Sequence, residues 1–170
     1  MDIHVTQRDG SRGVLTFGDL KFDCALGKSG ITADKREGDH ASPAGRFALR
    51  RLLYRADKIA TPETRLPLQE IDPQDGWCDD PDHDAYNRPV RLPFAARHET
   101  LWREDDLYDL LVILGHNDDP IIKDAGSCIF MHVAREDYGP TEGCVALDKG
   151  DLLALLAAID GDTAIRIGLP

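Results

Sequence analysis

In residues 20–26 the apolar side chains take every second position: Leu20, Phe22, Cys24 and Leu26 fall on one face, Lys21 and Asp23 on the other. A period of two dictates a half-buried strand and is incompatible with a helix. Two similar apolar runs precede it, at residues 3–5 and 14–17, and the separators Asp9-Gly10 and Gly18-Asp19 are hairpin turn residues. The amino-terminal part is therefore expected to be an antiparallel sheet, with Cys24 in its core.

Downstream, residues 27–43 are rich in Gly, Lys, Asp and Ser and read as a long loop, ended by the turn Ser42-Pro43-Ala44-Gly45 before a strand over 47–54. Loops of that length in a compact domain are often functional. Residues 61–98 hold six of the ten prolines and an acidic stretch over 72–81, so an irregular but ordered excursion is expected there. Residues 99–105 suggest a short helix. The near-continuous apolar run over 107–114 suits a strand buried on both faces. A further strand is expected over 127–133 and a closing one over 164–167. Between them Asp148 caps a helix bearing Leu152, Leu153, Leu155, Leu156 and Ile159, and Asp151 completes a capping-box-like start.

These elements imply one mostly β domain over residues 1–170. A formal charge of −11 is the opposite of what a phosphate backbone attracts, which excludes nucleic acid as a partner. No window approaches the ~18 apolar residues of a membrane span, so no stable membrane insertion is expected. The start Met1-Asp2-Ile3-His4-Val5-Thr6 lacks the basic and apolar regions of a signal peptide. Four cysteines are too few for a disulfide scaffold and read as free thiols.

One stretch concentrates the chemistry: His116, Cys128, His132 and Cys144. In a strand over 127–133, His132 shares a face with Cys128 and Phe130, while Ile129, Met131 and Val133 take the other. After Gly139-Pro140, residues 141–147 are extended and apolar and pair beside that strand, which brings His132 and Cys144 together. An imidazole beside a thiol lowers its pKa into the range of roughly 3.5 to 7.5 and makes a nucleophile. Gly143 leaves the backbone open to substrate, and N–H groups around Gly143 and Cys144 are candidates for stabilising an oxyanion. The separations of 12, 4 and 12 lack the close paired spacing of most structural zinc sites, so no metal is expected.

The segments Gly126-Ser127-Cys128-Ile129-Phe130-Met131-His132 and Thr141-Glu142-Gly143-Cys144-Val145-Ala146-Leu147, followed by an apolar helix, resemble the YkuD-type catalytic domain of L,D-transpeptidases. Upstream, Gly27-Lys28-Ser29-Gly30, Lys35-Arg36-Glu37-Gly38-Asp39 and Ser42-Pro43-Ala44-Gly45-Arg46-Phe47 resemble the family's amino-terminal pattern. The resemblance implies a β-sandwich of mixed sheets with one or two short helices, no cofactor, and peptidoglycan stem peptides as partners in the periplasm or cell envelope. It fixes no oligomeric state.

Carried over by position, Cys144 is the acyl-forming nucleophile and His132 its base. Gly143, Thr141 and Glu142 serve the oxyanion or positioning, and His116, Asn117, Arg88 and Tyr86 are candidates for substrate binding. The implied reaction makes 3-3 or 1-3 cross-links. Water or a D-amino acid as acceptor gives carboxypeptidase or exchange activity instead, and a non-catalytic peptidoglycan-binding module or a zinc hydrolase are the rival classes. Two positions depart from the pattern: Glu142 stands where many members have His, and Ala146 where they have Arg or Asn.

Overall fold

A computed structural model describes residues 1–168. The strands are β1 (Ile3–Asp9), β2 (Arg12–Phe17), β3 (Leu20–Ala25), β4 (Ile31–Thr32), β5 (Ser42–Pro43), β6 (Gly45–Tyr54) and β7 (Leu68–Glu70). They continue with β8 (Asp75–Cys78), β9 (Pro89–Arg91), β10 (His98–Thr100), β11 (Leu110–Leu114), β12 (Phe130–Val133), β13 (Val145–Leu147) and β14 (Ala164–Ile167), with one helix, α1 (Lys149–Ala158), before the last.

The expected hairpins form: β2 pairs antiparallel with β1 and with β3, and Cys24 is fully buried. The main sheet runs β11-β12-β13-β3-β2-β1-β14-β6-β7. The ten-residue β6 is long enough to pair with β14 through residues 45–48 and with β11 through residues 49–54. The sheet thereby returns on itself, so the mixed sheets of a mostly β fold are continuous here and close in a barrel-like way. Closure removes most free edges. Leu152, Leu155 and Leu156 of α1 join Ile3, Leu15, Leu52, Val112 and Met131 in one core.

Two expectations fail in the middle of the chain. Residues 61–98 are not irregular throughout, because β8 pairs with β9 and with β10 in a small antiparallel sheet. The helix expected over 99–105 is absent: Glu99 lies opposite Trp77 in β10, where its backbone is committed to the ladder. This small sheet explains the unbroken apolar run of β11. Leu110, Val112 and Leu114 point into the main core, while Leu111 and Ile113 belong to a second cluster with Leu53, Ile71, Leu101 and Phe130, against which Trp77 and Trp102 pack. Both faces of β11 are covered.

At α1, Asp148 is the N-cap and its carboxylate accepts from Gly150 N at 2.8 Å. The reciprocal half of a capping box is not made, for no bond returns from Asp151 to the cap. Burial and the nearby charges of Asp148 and Asp23 raise the Asp151 pKa. The two acids should therefore differ in effect. Asp148→Ala is expected to lower stability by about 1 kcal/mol in urea titrations, and Asp151→Asn should leave the midpoint unchanged or raise it.

Candidate active site

β12 and β13 run parallel, with Met131 opposite Val145 and His132 opposite Ala146. The alternation expected of them holds. Ile129, Met131, Val133, Val145 and Leu147 face the main core, whereas Phe130 and Cys144 belong to the second cluster on the outer face. Cys128 joins that cluster by another route. It lies before β12 with φ +55°, so a left-handed turn, rather than strand period, places it there. Where the small sheet stops covering this outer face, a cavity of about 560 Å³ opens, lined by Glu99, Tyr108, Cys128, His132, Glu142 and Cys144 among others.

The Cys144 thiol lies against the backbone of residues 128–130. Its Sγ donates to the Cys128 carbonyl at 3.2 Å and accepts from Phe130 N at 3.4 Å. No hydrogen bond joins it to His132. Parallel pairing places Phe130 level with Cys144 and His132 one pleat further on, a diagonal neighbour rather than a direct one. Burial pushes the thiol up to about 12, an effect increased by the charges of Glu99 and Glu142 and opposed by Phe130 N–H and Lys35. The expected depression into the range near 3.5 to 7.5 is thus reversed. A thiol taken out of water, with Glu99 and Glu142 nearby, keeps its proton.

His132 is held in the complementary state. Burial pulls its pKa down to about 4, assisted by Arg103 and Arg135, so the imidazole is neutral. Its Nδ1 lies 2.8 Å from the Val133 carbonyl. As a neutral donor there, it leaves Nε2 as the acceptor. The Tyr108 ring packs edge-on against the imidazole at 5.3 Å between centroids, and the Tyr108 hydroxyl donates to Glu99 Oε2 at 2.6 Å. Burial raises the Glu99 pKa. Neither Tyr108 nor Glu99 stood out in the sequence, because one lay inside an apolar run and the other in a stretch that suggested a helix.

The Thr141-Glu142-Gly143-Cys144 turn is fixed from within. Thr141 Oγ1 accepts from Gly143 N at 3.2 Å and donates to the Cys144 carbonyl at 2.8 Å. Gly143 has φ +137°, and a Cβ there would lie 2.8 Å from the Ala41 carbonyl oxygen, so only glycine fits. The Gly143 N–H is occupied by Thr141, whereas the Cys144 N–H has no hydrogen-bond partner among the described residues. Glu142 is exposed and lines the cavity.

The other expected binding residues frame the site from outside it. Tyr86 hydroxyl donates to Glu37 and accepts from Gly126 N at 3.1 Å, and Ser127 Oγ also donates to Glu37, at 2.7 Å. His116 Nε2 meets the Ala125 carbonyl at 2.9 Å, and Asn117 holds the 117–126 loop through Ile122 and Gly126. His116 and Arg88 line a different, smaller cavity. Between them lies Asn87, which sequence reasoning passed over. Its Oδ1 accepts from Trp77 Nε1 (3.0 Å) and Cys128 N (3.2 Å), and its Nδ2 donates to the carbonyls of His116 (3.1 Å) and Asn117 (2.8 Å).

A family model described as the L,D-transpeptidase catalytic domain, YkuD, matches residues 6–167. No curated protein and no solved structure gives a match to the chain.

Two outcomes follow from this geometry. Asn87→Asp replaces two donors with acceptors facing two carbonyls, and should lower stability by roughly 3 kcal/mol in denaturant titration at pH 7. His132 supports the fold only while neutral. Its folded pKa lies below the ordinary 6.5, so its contribution is present above pH 6.5 and is lost as pH falls toward 4. Over that window wild type should lose ~3 kcal/mol more than His132→Gln; parallel curves would contradict the buried neutral imidazole.

Proposed function

The chain belongs to the L,D-transpeptidase catalytic domain family, and from that premise we propose that it is a peptidoglycan L,D-transpeptidase working through a thioester on Cys144. The observation that carries this reading is the placement of Cys144 and neutral His132 on one cavity wall, with Sγ within 3.4 Å of a backbone N–H and Nε2 left as an acceptor.

In the proposed first half-reaction Sγ attacks the stem-peptide carbonyl, and its proton passes to His132 Nε2. The S–C bond forms as charge develops on the carbonyl oxygen, which Cys144 N–H stabilises. Collapse breaks the C–N bond to the terminal D-amino acid, whose nitrogen takes the proton back from His132. In the second half an amine attacks the thioester carbonyl, the C–S bond breaks, and the proton lost by the amine returns through His132 to sulfur. The product is a 3-3 or 1-3 cross-link. Water or a D-amino acid resolving the same thioester gives carboxypeptidase or exchange products.

The wall carries Glu99 and Glu142 beside Lys28, Lys35, Arg103 and Arg135, so an ammonium acceptor and a donor-peptide carboxylate each meet opposite charge there. Glu99 and Glu142 both act on the sulfur electrostatically, and a cationic ammonium entering there is attracted where water is not. The amine must shed a proton before it attacks, and an adjacent carboxylate is placed to take it. Such a substrate locates the activity at the cell envelope. No helix of the described residues is long and apolar enough to cross a membrane.

Cys144→Ala should reduce turnover of tetrapeptide muropeptides by at least about 10³-fold while the protein stays folded. Intact-mass analysis after exposure to a carbapenem should show one adduct, mapping to Cys144. Product formation by Cys144→Ala, or an adduct on Cys78 or Cys128 instead, would overturn the assignment.

A further inference from the structure

The segment 127–130 separates two cavities. Ser127 and Cys128 line the one with Cys144, whereas Ile129 and Phe130 line the smaller one, of about 200 Å³. Although the chain carries 31 acidic against 20 basic residues, three arginines converge on this smaller cavity: Arg50, Arg51 and Arg88.

A backbone irregularity makes the convergence. Ile113 of β11 lies opposite Arg51 and Leu114 opposite Leu49, so Arg50 is an extra residue in β6. Such a bulge sends adjacent side chains to the same side. Arg50 and Arg51 are both exposed between the buried Leu49 and Leu52. Arg50 is locked in place: its fork meets Asp118 at 2.8 and 3.2 Å, and it lies across Gly115, where a Cβ would stand 2.8 Å from Arg50 Nε.

Arg51 and Arg88 differ from most of the basic side chains. Among the described residues neither meets a carboxylate, although acids are in surplus and partners are found as far apart as Arg166 with Asp2 and Lys149 with Asp109. Trp77, Ile113 and Phe130, all of the second cluster, give the cavity an apolar floor. Its volume suits a small anionic group rather than a large ligand.

We propose that this cavity is a second binding site, which takes the carboxylate or phosphate end of a ligand on the free guanidinium groups of Arg51 and Arg88 beside the fixed Arg50. Planar guanidinium forks match both anions, and their charge is independent of pH. The site is separate from the Cys144 chemistry and stands or falls without it.

The test is a titration of the full chain with inorganic phosphate and, separately, with N-acetyl-D-alanine, followed by the nuclear magnetic resonance signal of the Trp77 indole N–H. A saturable shift in the roughly millimolar range is expected. Arg51→Gln combined with Arg88→Gln should weaken it about 10-fold or more. Cys144→Ala should leave it unchanged, which distinguishes failure here from failure of the proposed enzyme activity. Tighter binding of phosphate would identify a phosphate-bearing ligand, and tighter binding of the acylated amino acid a peptide carboxylate. Absence of saturation with both probes, or an arginine variant that binds as wild type does, would overturn the proposal.

Discussion

Asn87 joins the two parts of this molecule, and the geometry around the thiol depends on it. All four hydrogen-bonding positions of its side-chain amide are used: one oxygen receives Trp77 and Cys128, one nitrogen serves His116 and Asn117. The residue is buried in a left-handed conformation (φ +53°), which asparagine tolerates better than most. Through Trp77 it attaches the β8-β9-β10 sheet to the outer face of the main sheet. Through Cys128 N–H it helps fix the turn whose carbonyl receives the thiol proton. A buried network of this kind is stable only when every member is satisfied.

The same turn is held from the opposite direction by the long loop over residues 27–43. Ser42 Oγ accepts from Gly27 N at 3.0 Å and donates to the Cys144 carbonyl at 3.4 Å. Ala41 packs so closely on Gly143 that no side chain fits between them. Within the loop Asp39 pairs with Lys35 and accepts from the backbone of Arg36 and Ala41, and the short parallel pair of β4 and β5 is the only regular structure the segment contains among the described residues. Its lysine and Glu37 reach the cavity wall. The length of the loop therefore serves the site, since one stretch both buttresses the Cys144 turn and contributes charges to the cavity.

What the sequence made legible was decided by neighbours close along the chain. The alternation of residues 20–26 is a local signal and survives in β3. The two faces of β12 are likewise read from period two, and they separate core from site as expected. The N-cap of α1 is a local interaction and is present. What stayed hidden depends on contacts distant in sequence. Glu99 adopts β structure because Trp77 lies beside it, and no pattern within 99–105 encodes that pairing. Cys128 reaches the outer face through a positive φ that a tertiary clamp supports. The protonated state of the Cys144 thiol stayed hidden for a related reason. Proximity of two residue types was legible, but their desolvation, which depends on everything packed around them, was not.

That desolvation constrains the order of events in the proposed mechanism. With burial raising the thiol and lowering the imidazole, moving the proton from sulfur to nitrogen before substrate arrives is uphill. A preformed ion pair would add that cost to the barrier of bond formation. The cost falls if the proton moves while sulfur bonds to carbon, because the negative charge then passes to the carbonyl oxygen and never rests fully on sulfur. Substrate binding contributes as well, because a polar peptide filling the cavity offsets part of the burial that holds the proton on sulfur. In the proposed mechanism a neutral pair that becomes charged only in the course of attack is compatible with the carboxylates of Glu99 and Glu142 on the same wall. On that mechanism the buried thiol keeps its proton until substrate changes its surroundings.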